Sequence, residues 1–231
     1  SIYGDALLGS DDLFAKTSPS LDESSSITGL DLKALIQLRV DVSGKATAGT
    51  YNLAYSFVNA EDAELYNIEL NNAHVYEVTK REITIEWNYT EPFEYDQQLH
   101  TVSASVVGAL NGDSIAIEYS GNIANQAGKY TATVDNIDNG NYKLGETGSL
   151  EWNIAPKGIN VEWTAGDFTN DGNGHIVGTP VVVDGLLGMD TTEITVSGEQ
   201  INAGKHIATA VAVNGNYYVI NNEFEFEIKK A

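Results

Sequence analysis

The sequence predicts an all-β protein that repeats one small module three times. A small-residue pair introduces a short alternating segment in three places, with the sequences AGTY at 48–51, AGKY at 127–130 and AGKH at 203–206. A second motif agrees with this spacing, because ITIEW at 83–87 recurs as INVEW at 159–163. The interval between copies is longer than one solenoid turn or propeller blade, which spans roughly 20–50 residues, and it suits a small all-β domain.

The repeat divides the chain into three predicted modules, which are residues 1–81 (module 1), 82–156 (module 2) and 157–231 (module 3). The junctions at 79–82 and 155–158 consist of a few polar, Pro or Gly residues and cannot act as long flexible tethers. We therefore expect an elongated array with restricted bending. Each module should have a small hydrophobic core of its own, because domains of this size bury only about two-thirds of their unfolded surface.

Strand signals recur in the same order within the modules. One set of alternating segments is LRVDV at 38–42, IAIEY at 115–119 and EITV at 193–196, and a Ser-Gly pair follows each of them. The Ala-Gly strand comes next, and a turn with the sequence NGNY then occurs at 139–142 and at 214–217. Short alternating runs punctuated by Gly, Asn and Asp are typical of strands and tight turns.

The closing strands of modules 2 and 3 are predicted at 149–154 and 223–228. In the second of these, Phe224, Phe226 and Ile228 alternate with glutamates. Because successive side chains of a strand point to opposite faces, the three apolar residues should face the core and the glutamates should face water.

Module 1 departs from this plan. It begins with SIYGD at 1–5, without the opening strand that ITIEW and INVEW supply in the other modules. This departure predicts an unpaired sheet edge, which is an aggregation risk. Residues 60–65 are the one helical turn expected near a repeat landmark, whereas 29–36 could begin a helix or run into the following strand. A Ser-rich loop is predicted at 18–28.

The Ala-Gly element resembles the start of strand F in an immunoglobulin sandwich, where a tyrosine corner ties the strand to the backbone upstream. The corner positions are Tyr51, Tyr130 and His206. The sequence has no cysteine, so packing rather than a disulfide must join the two sheets. The predicted fold is therefore three tandem Ig-like β-sandwich modules, with the corner hydrogen bond of module 3 in question because His206 replaces tyrosine.

The order of the motifs resembles the bacterial MBG/YDG-type repeats. Module 1 contains YGD at 3–5, GL at 29–30, AGTY at 48–51 and YN at 66–67. Module 2 contains FEYD at 93–96, GAL at 108–110, GD at 112–113, AGKY at 127–130 and NY at 141–142. Module 3 contains FTNDG at 168–172, GLL at 185–187, AG at 203–204 and NY at 216–217. The departures are Gln97 in place of glycine, Asn170 in place of tyrosine, and Met189 inserted before Asp190.

The resemblance covers nearly the whole chain and depends on the order of the motifs, since each motif alone is weak. It implies Ig-like modules of large secreted or wall-anchored bacterial proteins, often adhesins, in which such repeats serve as a stalk or spacer. Localisation would then be extracellular, on the cell surface or secreted, and the partners would be neighbouring domains of a larger surface protein.

Charge narrows the range of partners. The formal net charge is −21, and it is spread as −7 over 1–80, −8 over 81–156 and −6 over 157–231. Uniform acidity keeps β domains soluble and apart, and it disfavours nucleic acid and anionic membranes as partners. No apolar stretch approaches the roughly 20 residues of a membrane span, so membrane insertion is not expected. Without cysteine, the chain can hold neither a disulfide scaffold nor a thiolate metal site.

The string from Asp167 to His175 is the strongest candidate for a metal site. Asp167, Thr169 and Asp171 take the first, third and fifth places of a calcium loop, with glycine at the sixth. The twelfth place is Gly178, so the bidentate acid is missing. The equivalent stretch of module 2 looks like an ordinary turn, so we expect a structural turn and no metal.

His100 and His175 occupy corresponding positions, which favours a shared structural role over acid–base catalysis. His74 and His206 have no convincing partners in the sequence. There is no Gly-x-Ser-x-Gly, His-Glu-x-x-His or phosphate-binding loop, and a pair of carboxylates could be chosen almost at will from 33 acidic residues. The sequence predicts no enzyme and no cofactor.

Exposed aromatic rings would favour sugar binding instead. Trp87 and Trp163 correspond and should belong to the core, whereas one ring among Tyr89, Phe93 and Tyr95, or one at 217–218, could be exposed. The hypothesis is therefore a non-enzymatic extracellular stalk or spacer segment of a bacterial surface protein or adhesin. The alternative is a direct ligand-binding adhesin fragment that recognises a glycan or host matrix.

Overall fold

The computed structural model describes residues 1–20, 29–70, 75–146 and 148–231. It is predominantly β, with 44% strand and 7% helix. The all-β prediction is confirmed. Most of the Ser-rich loop predicted at 18–28, and His74, lie outside the described residues.

In the part that the structure describes, module 1 combines short helices with two pairs of strands. Its elements are α1 (Ser10–Thr17), α2 (Leu32–Leu35), β1 (Ile36–Val40), β2 (Gly49–Tyr51), β3 (Leu53–Phe57), α3 (Asp62–Leu65) and β4 (Tyr76–Val78). Strand β1 pairs antiparallel with β3, and β2 pairs antiparallel with β4. Within 29–36, helix α2 takes Leu32–Leu35 and β1 begins at Ile36, and the helical turn expected at 60–65 forms as α3.

Helix α1 is an element that the sequence reasoning missed. Its side chains Leu13 and Phe14 are buried in the core of module 1. Asp11 and Asp12 lie in its first turn and Lys16 in its last, so the charges complement the helix dipole. That distribution of charge was the available signal, although the helix has no side-chain cap at its N-terminus.

The described residues of module 2 form nine strands of two to ten residues. These are β5 (Arg81–Trp87), β6 (Phe93–Glu94), β7 (His100–Thr101), β8 (Ala104–Val107), β9 (Ile117–Ser120), β10 (Ile123–Ala124), β11 (Gly128–Ile137), β12 (Tyr142–Leu144) and β13 (Leu150–Ala155). Module 3 has β14 (Lys157–Glu162), β15 (Phe168–Thr169), β16 (Val181–Asp184), β17 (Ile194–Ser197), β18 (Gly204–Ala212), β19 (Tyr217–Val219) and β20 (Glu223–Lys229).

The strand order of module 2 recurs in module 3. One sheet runs β6-β13-β11-β9 in module 2 and β15-β20-β18-β17 in module 3. The other runs β12-β5-β8 in module 2 and β19-β14-β16 in module 3. In both modules the pairs β6–β13 and β15–β20 are parallel, and so are β12–β5 and β19–β14. The sequence repeat is therefore also a repeat of topology.

Strand register extends the correspondence to module 1. The glycine of each Ala-Gly pair lies opposite an aliphatic residue of the closing strand, with Gly49 opposite Val78, Gly128 opposite Ile154, and Gly204 opposite Ile228. A parallel bridge from Ile2 to Thr79 takes the place of the β6–β13 pairing. Apart from Arg81 at the boundary, every strand pairing among the described residues joins two strands of one predicted module.

By contact density the chain forms two compact units. One contains residues 1–86, 106–118 and 136–147, and the other contains 87–105, 119–135 and 148–231. Their cores continue across the predicted junctions, because one cluster includes Leu13 together with Ile83 and another includes Trp152 together with Ile159. The expectation of a separate core in each module is therefore wrong at the junctions, while the division into three modules stays a prediction.

The closing strand of module 3 has the predicted alternation. Phe226 and Ile228 are buried, Phe224 is partly buried against the same cluster, and the intervening glutamates are exposed. One face of β20 is thus apolar and the other acidic, as the period of two requires.

Candidate functional site: two tyrosine–aspartate joints

The predicted tyrosine corners form in all three modules, including the one that has histidine. The hydroxyl of Tyr51 donates to the carbonyl of Thr47 at 2.8 Å, and that of Tyr130 donates to the carbonyl of Gln126 at 2.8 Å. In module 3 the Nε2 atom of His206 lies 2.8 Å from the carbonyl oxygen of Asn202, four positions upstream as in the other two corners. The imidazole of His206, with its proton on Nε2, therefore replaces the phenol as the donor.

We expect His206→Phe to lower the free energy of unfolding by about 1 kcal/mol, because the carbonyl of Asn202 loses its ring donor. His206→Tyr should keep the stability near that of the parent chain, since Tyr51 and Tyr130 make the same bond. Urea denaturation of both variants measures the difference. Equal stability of the two variants would show that the corner bond contributes nothing in module 3.

A second repeated feature joins residues that are far apart in the sequence. In the first example, here joint 1, the hydroxyls of Tyr3 and Tyr142 both donate to Oδ2 of Asp113, at 2.9 and 2.5 Å. The two rings meet edge to face, with centroids 5.4 Å apart and planes at 81°. Tyr3 belongs to module 1, whereas Asp113 and Tyr142 belong to module 2.

Joint 2 repeats this arrangement between modules 2 and 3. The hydroxyls of Tyr95 and Tyr217 donate to Oδ2 of Asp190 at 2.9 and 2.6 Å. The rings are again edge to face, with centroids 5.5 Å apart and planes at 83°. Joint 1 lies wholly within the first compact unit and joint 2 wholly within the second. The same three-residue contact therefore links consecutive modules twice.

The loop that carries each aspartate is also held in the same way. The amide of Leu110 donates to the hydroxyl of Tyr142 at 3.0 Å, and the amide of Leu187 donates to that of Tyr217 at 3.2 Å. The hydroxyls of Tyr142 and Tyr217 therefore each accept one hydrogen bond from the aspartate loop and donate another to the aspartate carboxylate. The hydroxyl acts as donor and acceptor at once, which fixes the ring in place.

The NGNY turns supply a further contact at each joint. The side-chain oxygen of Asn141 accepts from the amide of Ala48 at 2.8 Å, and that of Asn216 accepts from the amide of Ala127 at 2.8 Å. The Ala-Gly pair of one module is therefore bound by the asparagine of the next. Asn216 is buried, so its bond is made away from water.

Basic residues at the junctions add charged contacts. At joint 1 Nε of Arg81 donates to the carbonyl of Tyr3 at 2.7 Å, and its Nη2 lies 2.5 Å from the carboxylate of Asp5. Lys45 lies 3.5 Å from Asp113 and 4.8 Å from the centre of the Tyr3 ring. At joint 2 Lys157 pairs with Glu94 at 3.0 Å. Each of these pairs has at least one solvent-exposed member, so we expect them to contribute less than the buried rings.

Hydrogen bonding and burial shift the pKa values of corresponding residues in the same direction at the two joints. The bond from Tyr142 holds the pKa of Asp113 below its usual value, and the bond from Tyr217 does the same for Asp190. Burial raises the pKa of Tyr142 and Tyr217, with a further contribution from the neighbouring carboxylates. The stable state is therefore an ionised Asp113 beside a neutral Tyr142, and an ionised Asp190 beside a neutral Tyr217.

Tyr95 gives this electrostatic arrangement a measurable consequence. Burial, followed by the bond to Asp190, raises the pKa of Tyr95 from 10.0 to about 12. Since the folded pKa is the higher one, the stabilisation is complete below pH 10 and is lost as the pH rises toward 12. We expect Tyr95→Phe to cost about 1–2 kcal/mol at neutral pH and to weaken this alkaline loss.

The test is urea denaturation of the parent chain and of Tyr95→Phe from neutral pH to strongly alkaline pH. Tyr130→Phe is the matched control, because it removes a hydroxyl that binds a backbone carbonyl and not a carboxylate. An alkaline slope that is identical in the parent chain and in Tyr95→Phe would contradict the assignment.

The stretch from Asp167 to His175 has its acidic side chains engaged by protein groups. Asp171 accepts from the amide of Asn173 at 2.9 Å and contacts Nε2 of His175 at 3.0 Å, while Asp167 pairs with Lys229 at 2.6 Å. Within the part of the chain that the structure describes, no group of three or more His, Asp or Glu side chains could hold a metal ion.

The two corresponding histidines have equivalent surroundings. Nε2 of His100 lies 2.9 Å from Asp96, as His175 lies beside Asp171. Each imidazole also packs on the phenylalanine that begins the motif, with centroids 4.4 Å apart for His100 and Phe93. Hydrogen bonding, led by the backbone bond from the residue two positions on, holds the pKa of both aspartates below the usual value.

The aromatic residues considered for sugar binding are mostly covered. Tyr95 and Tyr217 are buried in joint 2, and the Tyr89 hydroxyl donates to the side chain of Asn153 at 3.1 Å. Trp163 stacks on Phe224. Tyr218 is the exception among the candidates, since half of it is exposed.

Sequence reasoning used several joint residues as markers of the repeat but missed their role. The signal was the presence of Gly-Asp at 112–113 and NGNY at 139–142 in module 2, matched in module 3 by Asp190 and NGNY at 214–217. Asn170 explains one departure, because it replaces the joint tyrosine and its side chain donates to the carbonyl of Ile201 at 3.0 Å.

Comparison with known proteins adds no assignment. A scan against protein-family models gives no match, and no curated protein matches the chain. Among the helices in the described ranges, none has both the length and the apolar character that crossing a bilayer requires.

Proposed function

We propose that the chain is a non-enzymatic stalk or spacer segment of an extracellular bacterial surface protein or adhesin. Three tandem Ig-like β-sandwich modules would hold a distal domain away from the cell surface. The observation that supports this most is the recurrence of one joint, with two tyrosines on one aspartate, between successive modules. A spacer needs the same connection at every step, whereas a catalytic site has no reason to repeat at each junction.

The chemistry of the joints suits a mechanical role. Edge-to-face aromatic pairs contribute about 0.5–1.5 kcal/mol beyond the area that they bury. Hydrogen bonds to a carboxylate are stronger and more directional than those between neutral groups. Together with the short junctions, these contacts would limit the angle between neighbouring modules, and the evenly spread negative charge would keep neighbouring stalks apart.

The alternative, a fragment that binds a glycan or host matrix directly, has one observation in its favour. Tyr218 presents a half-exposed ring beside the exposed Ile220. Binding of a glycan from a mucin panel that is lost in Tyr218→Ala would favour this alternative. The same loss in Tyr89→Ala would not discriminate, because Tyr89 is tied to Asn153 and also supports the core.

Stiffness at joint 2 is the property that tests the stalk. Because the chain has no cysteine, Thr131→Cys and Thr195→Cys introduce unique sites for spin labels in modules 2 and 3. Double electron–electron resonance should give a narrow distribution of distances between the two labels, and this distribution should broaden in Asp190→Ala. Asp184→Ala is the matched control, since Asp184 accepts from Asn160 in its own module. A broad distribution in the parent chain would refute a stiff spacer.

A further inference from the structure

The outer face of one sheet differs between the two modules of equal topology. In module 2 this face of β11 is polar, because Asp135 accepts from Ser120 at 2.9 Å and from Thr133 at 3.2 Å. In module 3 the corresponding face of β18 has Ile207 where module 2 has Thr131, and Val211 where it has Asp135. The repeat therefore provides its own reference for which residues the fold requires.

Module 3 thus carries an aliphatic stripe made of Ile207, Val211 and Val213, the last directly after β18. These side chains are 54%, 55% and 57% exposed, so they contribute little to the core beneath them. The buried face of the same strand is provided by Ala208, Ala210 and Ala212. The fold does not require Ile207 and Val211 to be apolar, since Thr131 and Asp135 take their places in module 2, whereas the counterpart of Val213 is the aliphatic Ile137.

Acidic residues border the stripe. On β20, Glu225 lies opposite Ile207 and Glu223 lies opposite Thr209, with Glu227 next along the strand. Glu193 lies beside the other end, where its carbonyl accepts from the amide of Val213. Lys205 pairs with Glu225 at 2.7 Å and offsets its charge. The other glutamates still leave the border with a net negative charge.

We propose that this face is a docking surface for a basic polypeptide segment, in which lysines or arginines flank aliphatic side chains. A second copy of the chain fits poorly, because its glutamates would meet the same glutamates and both copies carry −21. The surface area of three half-exposed aliphatic side chains is also far smaller than the roughly 800 Å² that each partner buries in a stable dimer. Aliphatic contact at the centre with opposite charges around it suits a basic partner instead.

The probe is a hairpin peptide with valines on one face and lysines along both sides, titrated into the full chain at low salt and followed by NMR. We expect a Kd on the order of 10–100 µM, weakening as salt is added. Ile207→Thr with Val211→Asp, which installs the residues of module 2, should weaken binding at least about tenfold. Circular dichroism of this double variant confirms that it is folded.

The reverse exchange in module 2 is the matched gain-of-function control. Thr131→Ile with Asp135→Val supplies the aliphatic side chains but leaves Asn153 where module 3 has Glu227, so a second peptide should bind, more weakly than the first. The proposal is overturned if the module 3 variant binds as tightly as the parent chain, or if a glutamate version of the peptide binds equally well. A parent chain that dimerises through this face would assign it to a second copy and would equally overturn the proposal.

Discussion

Tyr217→Ala is expected to lower the free energy of unfolding by about 3–5 kcal/mol, the range for removing a large buried aromatic side chain. Tyr217 is only 3% exposed and belongs to the core cluster that joins modules 2 and 3. Its ring meets that of Tyr95, and its hydroxyl both donates to Asp190 and accepts from Leu187. The truncation therefore leaves a cavity and removes a donor from a carboxylate at once.

The adjacent residue provides the control for this change. Tyr218 is 50% exposed, so Tyr218→Ala should cost no more than about 1 kcal/mol. Tyr217→Phe keeps the ring and removes the hydroxyl, so its cost should lie between those of the two alanine variants. Urea denaturation followed by tryptophan fluorescence measures all three. Equal costs for Tyr217→Ala and Tyr218→Ala would mean that joint 2 does not contribute to stability.

The regular parts of the fold could be predicted because their signals are local. The alternation of Phe224, Phe226 and Ile228 along β20, and the Ala-Gly pair before each corner, depend on strand period and turn chemistry over a short stretch of chain. The repeat itself then transferred each interpretation from one module to the next. Helix α1 was missed because it has no counterpart among the described residues of modules 2 and 3, so the repeat gave no support for it.

The joints could not be predicted because they join residues far apart in sequence. Tyr3 and Asp113 are 110 positions apart, and Tyr95 and Asp190 are 95 apart. Nothing local to an aspartate in a loop indicates that two phenols from elsewhere will bind it. The recurrence of Asp113 and Asp190 at matched positions was visible, but a recurring residue can mark a turn as well as a contact.

His206 forms the corner hydrogen bond although it is not a tyrosine. Replacement of a corner tyrosine by histidine was expected to threaten a hydrogen bond that depends on a phenol. The structure keeps the bond because the geometry requires only a donor that reaches the carbonyl of Asn202, and an imidazole N–H supplies it. The chemical role is the same in the three modules while the residue type is not.

The Ser-Gly pairs after the alternating strands lead to the second large expected effect. Gly121 has φ +66°, and a Cβ atom added to it would lie 2.0 Å from the carbonyl oxygen of Thr131. Its own carbonyl also accepts from Nε1 of the buried Trp152 at 2.9 Å. The methyl group of an alanine would overlap the Thr131 carbonyl, so the backbone at Gly121 or at Thr131 must move. We therefore expect Gly121→Ala to lower the free energy of unfolding by about 2–4 kcal/mol.

Gly44 is the matched control, because it follows the corresponding strand of module 1. It also has a positive φ, +88°, but an added Cβ would meet nothing within 4 Å. Gly44→Ala should therefore cost only the backbone strain, about 1 kcal/mol. Thermal unfolding of both variants separates strain from overlap. A Gly121→Ala variant no less stable than Gly44→Ala would mean that the strand carrying Thr131 can move away freely, and that the Trp152 contact does not fix the turn.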